Sequence, residues 1–194
     1  MTPSPKNVLP ESFYNRGEVT VIARELLGAV LCTSIDGILT KAVITETEAY
    51  AGRSDKACHA HNGRRTQRTE VMYGKPGHAY VYLCYGIHHL FNVVTNREGL
   101  ADAVLIRGVR PLHGKTVMEQ RRGMASGAGL TNGPGKCTQA LGITIAHNKT
   151  DLFSPPVWIE KGEAVDPNRI QTTTRIGIDY AEEDALKPWR FLLP

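Results

Sequence analysis

The chain reads as an α+β protein, a single mixed domain in which a curved antiparallel sheet is surrounded by helices. Short runs rich in Val, Ile, Leu, Thr and Tyr recur between Gly-containing turns, the pattern of adjoining antiparallel strands. Few segments have helical spacing, and they do not alternate with the strands as the βαβ units of a parallel fold would. The 194 residues, 41% of them hydrophobic, suffice for one ordinary core, and a second domain is not expected.

Residues 1–10 hold three prolines and no apolar run, so they are expected to form a mobile tail, neither a secretion signal nor a membrane anchor, ahead of one domain over 11–194. Val19, Ile22, Ala23, Leu26 and Leu27 recur at helical spacing, and Gly28 follows as a stop. This predicts an amphipathic helix over 18–27. Strands are expected over 28–35, 39–48, 79–85, 90–95 and 103–109. Further helices are expected over 115–122 and 133–141, the latter with Pro134 in its first turn and Gly142 as its stop. Beyond residue 150 short strands again alternate with turns.

Composition bounds the function loosely. The net charge of +4 and the pI near 8.9 suit a polyanionic partner without requiring one. Cys32, Cys58, Cys84 and Cys137 stand far apart, and no apolar run approaches the ~20 residues of a membrane span. An intracellular protein with reduced thiols and no membrane partner is expected, in the cytoplasm or nucleoid of a bacterium or in the nucleus of a eukaryote. Several motifs can be set aside. Gly133-Pro134-Gly135-Lys136 is no nucleotide-hydrolase loop, because Leu130 stands where the first Gly is needed and Cys137 where Ser or Thr would hold magnesium. Cys58-His59-Ala60-His61 lacks a second ligand cluster, so no metal site is expected. No Gly-x-Ser-x-Gly elbow supports a serine hydrolase.

The chemistry concentrates between Thr45 and Asn92. In an extended strand Ile44, Glu46, Glu48 and Tyr50 would share one face, and Val43, Thr45, Thr47 and Ala49 the other. On its own such an acidic strand is as readily an edge protected from aggregation as a catalytic one. Tyr80 and Tyr82 share a face of a second strand, Tyr80 being expected in ordinary sheet packing. Tyr85, directly before Gly86, is expected at a hairpin tip. A large aromatic on an exposed tip can serve as a wedge in a base stack. Carboxylates, stacking rings and an Arg-rich loop are together what cleavage of a bond between sugar and nucleobase requires.

Ile44-Thr45-Glu46-Thr47-Glu48-Ala49-Tyr50, His59, Lys75-Pro76-Gly77, Tyr80-Val81-Tyr82, Tyr85-Gly86, Asn92, Arg107, Gly133-Pro134, Lys136, the Gln139–Ile143 stretch and Arg175-Ile176-Gly177-Ile178 together resemble the alkyladenine (3-methyladenine) DNA glycosylases. The resemblance runs through nearly the whole chain. It implies a curved antiparallel sheet and action on double-stranded DNA by base flipping, with no metal or organic cofactor. The substrates it implies are 3-methyladenine and 7-methylguanine, with hypoxanthine or ethenoadenine. By the same resemblance Glu48 is the general base and Arg107 supports the catalytic water. Tyr50, His59 and Tyr82 sandwich the flipped base, and Asn92 forms a pocket floor that disfavours the amino group of guanine. Tyr85 intercalates, with Ile87 and His88 at the wedge where family members carry other bulky residues. Cys137-Thr138 likewise departs from the family's Leu-Cys.

A carboxylate near the sugar stabilises an oxocarbenium-like transition state and takes a proton from the attacking water. Burial would raise the Glu48 pKa and Arg107 would lower it, with a net value expected below neutrality. His59 could donate a hydrogen bond to the base. No lysine is indicated as a Schiff-base nucleophile, so an intact abasic site is the expected product. Arg53, Arg64, Arg65, Arg68 and Lys136 are the expected phosphate contacts. The enzyme is expected to act as a monomer. Two other readings stay open: a catalytically silent nucleic-acid-binding module, and a hydrolase of free nucleosides or oligosaccharides that uses Glu46 and Glu48 as a pair.

Overall fold

The computed structural model describes residues 5–127 and 129–194. In chain order the strands are β1 (Val30–Ile35), β2 (Ile38–Tyr50), β3 (Ala79–Cys84), β4 (His88–Thr95), β5 (Asp102–His113), β6 (Phe153–Ser154), β7 (Val157–Glu160), β8 (Gln171–Thr173) and β9 (Arg190–Leu192). The helices are α1 (Glu11–Tyr14), α2 (Val19–Glu25), α3 (Lys115–Arg122) and α4 (Pro134–Leu141). Among the described residues the nine strands form one sheet in the order β3-β4-β5-β2-β1-β7-β6, with β9 paired to both β2 and β8. All the ladders are antiparallel, as expected for an α+β fold.

β2 is the organising strand because its length lets it bind three neighbours. β5 runs along one edge from Lys41 to Tyr50. The other edge is shared: β1 pairs with the first half of β2, and β9 returns from the end of the chain to pair with Glu46, Thr47 and Glu48. α2 covers one face of this centre. Its Val19, Ile22 and Ala23 are buried, Gly28 turns the chain at φ +86°, and the Thr47 hydroxyl donates to the Ala23 carbonyl at 2.8 Å. Ile22, Leu26, Leu31, Ile44, Phe91, Ile106 and Leu141 fill the main core on that side. A smaller cluster, with Cys58, Ala60, Val71, Met72, Tyr73, Tyr80 and Val94, forms under the long connection between β2 and β3; Tyr50 and Tyr82 pack at its margin.

The alternation expected over 43–50 does not survive, and the reason is a pair of β-bulges. Ile44 pairs with Val109, Glu46 with Gly108 and Thr47 with Ile106, so Thr45 and Arg107 each lack an opposite residue. The extra residue at Thr45 puts Ile44 in the α2-side core with Ala49, whereas Glu46 and Glu48 project towards Arg107. Ile44 therefore does not share a face with the two carboxylates. The close approach opposite Glu46 needs Gly108, where a Cβ would stand 2.9 Å from the Glu46 Cβ.

The tail expected over 1–10 is also too long. Val8 bridges to Glu160, and the Leu9 amide donates to the Ile159 carbonyl at 2.9 Å with its side chain buried. The free edge of β7 and an apolar side chain together anchor this stretch; residues 1–4 lie outside the described residues. β5 continues to His113, past the expected end at 109, because Lys41 and Ala42 of β2 supply partners. No helix among the described residues is long and apolar enough to cross a membrane. Gly108→Ala is expected to lower stability by about 1–3 kcal/mol through overpacking at the double bulge. An unchanged urea midpoint would show that the bulge absorbs the added methyl group.

Candidate active site

On the sheet face away from α2 lies a cavity of about 390 Å³, between the sheet, the β2–β3 connection and the segment that follows β8. Glu48 stands in its wall, fully buried. One carboxylate oxygen accepts from the Tyr50 hydroxyl at 2.8 Å and the other from the Ile176 amide at 2.8 Å, with Arg107 Nε 3.4 Å from the latter. Burial lifts the Glu48 pKa above its ordinary value, while Arg107, the Ile176 amide and the Tyr50 hydroxyl pull it back. The Arg107 bulge aims its Nε at Glu46 as well, at 3.0 Å. Glu46 also binds Arg190 at 2.6 Å and lines a different cavity, so the two carboxylates do not flank one ligand.

Tyr50, His59, Tyr80, Tyr82 and Asn92 line the rest of the cavity. His59 meets Tyr82 edge-on, with ring centres 4.8 Å apart, and its Nδ1 lies 2.8 Å from the Tyr80 hydroxyl. Tyr80, expected to be a packing residue, is buried but adds this polar contact to the wall. Burial, then Arg68 and Arg64, lower the His59 pKa from 6.5 to about 4, so the imidazole is neutral at physiological pH. Asn92 is buried and donates to the Tyr80 carbonyl at 3.1 Å, which fixes its amide at the cavity margin.

Tyr85 stands at the mouth, 91% exposed. Tyr85 and Gly86 have φ of +50° and +74°, and the Ile87 amide donates to the Cys84 carbonyl at 3.2 Å, the form of a type I′ turn. Tyrosine suits neither exposure nor left-handed backbone, and such strain gathers at functional sites. Ile87 joins it at the tip, 71% exposed. His88 does not. It pairs with Cys84 at the foot of the hairpin and lies over the first turn of α4, where a Cβ on Gly135 would touch its ring at 3.0 Å.

The model of the methylpurine-DNA glycosylase family matches residues 12–194. The chain belongs to that family. A protein of Chlamydia felis named "Putative 3-methyladenine DNA glycosylase" is 51% identical over 188 residues, 96% of each chain. Proteins with the same name from Desulfitobacterium hafniense and Bacillus cereus are 47% and 46% identical, each over more than nine-tenths of both chains. Membership makes the chain a DNA glycosylase, a hydrolase of N-glycosyl bonds.

The glycosylase's expected cations divide into two groups. Arg53, packed over Gly63, and Arg64 are exposed on the connection beside the cavity, and Lys136 is half-buried on α4, its Nζ 2.9 Å from Asn132. Arg65 instead makes a forked pair with Glu70 at 2.7 and 2.6 Å and covers the Tyr73 ring. Arg68 folds inward over Tyr82. Both are turned by nearer partners, a carboxylate and a ring, which the sequence spacing does not reveal.

Sequence reasoning missed the brace behind the site. Arg175 is completely buried, paired with the equally buried Asp55, and donates to the Ala49 and Asp184 carbonyls at 2.9 Å each. Its guanidinium lies 4.8 Å from the Tyr50 ring and 5.2 Å from that of Trp189. Arg175 thereby holds Ile176, whose amide binds Glu48. The Arg175–Ile178 motif was a visible signal, but its partner Asp55 stands 120 residues away. Thr138 offers a further surprise. It donates to the His89 carbonyl at 2.6 Å, so a residue that departs from the family's pattern ties α4 to the hairpin. Asp55→Ala should strand the buried Arg175 charge and destabilise the protein by about 3–5 kcal/mol. A denaturation free energy equal to wild type would show that water reaches Arg175.

Proposed function

We propose that the enzyme flips a damaged purine out of duplex DNA into the cavity and hydrolyses its N-glycosidic bond. The observation that carries this reading is a buried carboxylate in an aromatic-walled cavity with an exposed, strained tyrosine at its mouth. A small-molecule hydrolase has no use for Tyr85 on an exposed tip. A silent binding module has none for Glu48, whose negative charge would oppose DNA. Glu46, tied to two arginines and facing elsewhere, gives no support to a paired-carboxylate sugar hydrolase.

In the proposed reaction Tyr85 and Ile87 fill the gap left in the stack, while Tyr50, His59 and Tyr82 hold the extruded base. Glu48 stabilises the developing sugar cation and accepts a proton from water, which Arg107 helps to place. Asn92 disfavours the amino group of normal guanine. Relatives named for 3-methyladenine support that lesion as a substrate, and we extend the proposal to 7-methylguanine, whose cationic ring leaves easily enough to offset the penalty at Asn92, and to hypoxanthine or ethenoadenine, which lack the guanine amino group. The cations in the cavity wall are arginines, which form no Schiff base, so an abasic site is the product. Arg53, Arg64 and Lys136 are the proposed phosphate contacts, and the enzyme acts as a monomer in the compartment that holds the DNA.

Glu48→Gln is expected to abolish release of 3-methyladenine from duplex DNA while lesion-DNA affinity stays within about tenfold. Single-turnover excision at near wild-type rate would remove Glu48 from the mechanism. Because the base must be ionised and burial raises its pKa, wild-type activity should fall with decreasing pH at values above the ordinary 4.5 of a glutamate. Tyr85→Ala is expected to lose roughly 1–3 kcal/mol of lesion binding, most for neutral, well-paired lesions such as hypoxanthine. Equal affinity of mutant and wild type for hypoxanthine DNA would remove the wedge role.

A further inference from the structure

The cavity beside Glu48 already holds a flat cation. The Arg68 guanidinium carbon lies 4.6 Å from the centre of the Tyr82 ring. Its Nε is 3.3 Å from the Tyr80 hydroxyl, and Nη2 is 3.2 Å from Nε2 of His59. Two groups on which a base would rest, Tyr82 and His59, and the Tyr80 hydroxyl behind them thus converge on one side chain. A guanidinium N–H can only donate, so in this arrangement Nε2 of His59 accepts, and the ring proton sits on Nδ1, facing Tyr80. The donor that His59 could offer to a base is turned away from the cavity.

A base stacked on Tyr82 and a guanidinium stacked on Tyr82 require the same space. The two exclude each other on that face. Arg68 belongs to an exposed stretch of the connection, and its neighbourhood is held by other atoms: Thr69 and Tyr73 bind the Arg64 carbonyl. The side chain can therefore swing on its own bonds while the connection stays in place.

We propose that Arg68 is the gate of the base pocket, its guanidinium occupying the place of the base on Tyr82 in the free enzyme and leaving before a base can stack. The proposal rests on the reading that the cavity takes a base. Departure of Arg68 also frees Nε2 of His59, so one motion clears the stacking face and lets the imidazole change tautomer to meet the newcomer. After cleavage the returning guanidinium competes with the freed base for the ring, which speeds its release. Arg68 acts on the walls and not on the reacting atoms, so it is a positioning residue.

The test uses free ethenoadenine, a fluorescent base without sugar or phosphate, titrated into the intact wild-type protein and into Arg68→Met. Removing the gate is expected to tighten binding of the free base at least about threefold, the scale of one displaced cation–π contact. The His59 imidazole, followed by NMR in the same two proteins, should titrate higher in Arg68→Met than in the wild type, because one of the two arginine charges that add to the effect of burial is lost. Both results are required, and base affinity that is equal or weaker, or an unmoved His59 titration, would overturn the proposal. Excision of 3-methyladenine by the wild type, measured on the same preparation, reports separately on the glycosylase reading. Intact excision together with unchanged base affinity would defeat the gate alone.

Discussion

The site depends on holding Glu48 as a buried carboxylate in the wall of the cavity. Burying an ion costs several kcal/mol, and each charge-assisted hydrogen bond returns about 1.5–3 kcal/mol. Glu48 has two such bonds, from the Tyr50 hydroxyl and the Ile176 amide, and a guanidinium 3.4 Å away. These partners offset only part of the cost, so burial wins and the pKa rises. A carboxylate in this condition is a stronger base than a solvated one. The donors supplied to it set that balance, and they come from β2, β5 and the segment after β8.

Those donors stay in place because the end of the chain is locked to its middle. β9 pairs with the stretch of β2 that carries Glu46 and Glu48, and Arg175 spans Asp55, Ala49 and Asp184 from within the same tail. A backbone amide cannot be swung into position like a side chain; Ile176 reaches Glu48 only if the whole segment is docked. The double bulge performs the complementary task on β5. Leaving Arg107 without an opposite residue lets its side chain lean across the ladder to the two carboxylates, which regular pairing would have kept on a fixed pitch. Glu46 then serves as a second anchor for Arg107, shared with Arg190, so the cation beside Glu48 is itself held on two sides.

Much of this was legible in the sequence, and the misses share one physical cause. Local signals placed β1 to β5 and the three longer helices, because apolar period and glycine stops act over a few residues. The same signals put Tyr85 on a turn and Glu48 beside Tyr50. What failed needed distant partners. Ile44 was assigned to the carboxylate face because a bulge exists only in relation to the opposite strand. Arg65 and Arg68 read as free cations because Glu70 and the Tyr82 ring capture them after folding. Arg175 was visible as part of a motif, but its burial and its bond to Asp55 were not, since nothing in a local window distinguishes a buried arginine from a solvated one. Leu9 looked like tail because the free edge of β7 that holds it lies 150 residues on.

The charge states of the pocket bear on which bases can leave. His59 is neutral at physiological pH, held so by burial and by two arginines, and therefore has no imidazolium proton to give to a departing base. A purine alkylated at N3 or N7 needs none, because it carries its positive charge already and departs as a neutral molecule. A neutral lesion such as hypoxanthine gains nothing from His59 beyond a hydrogen bond, so its departure leans more heavily on Glu48 and on the sugar cation that Glu48 stabilises. For the proposed reaction this ranks the two lesion classes by chemistry before any difference in fit is considered. The same neutrality has a second use, since a protonated His59 would repel the cationic bases that leave most easily. In the proposed reaction, keeping the imidazole uncharged thus gives up acid catalysis for neutral lesions and in return admits charged ones between the rings.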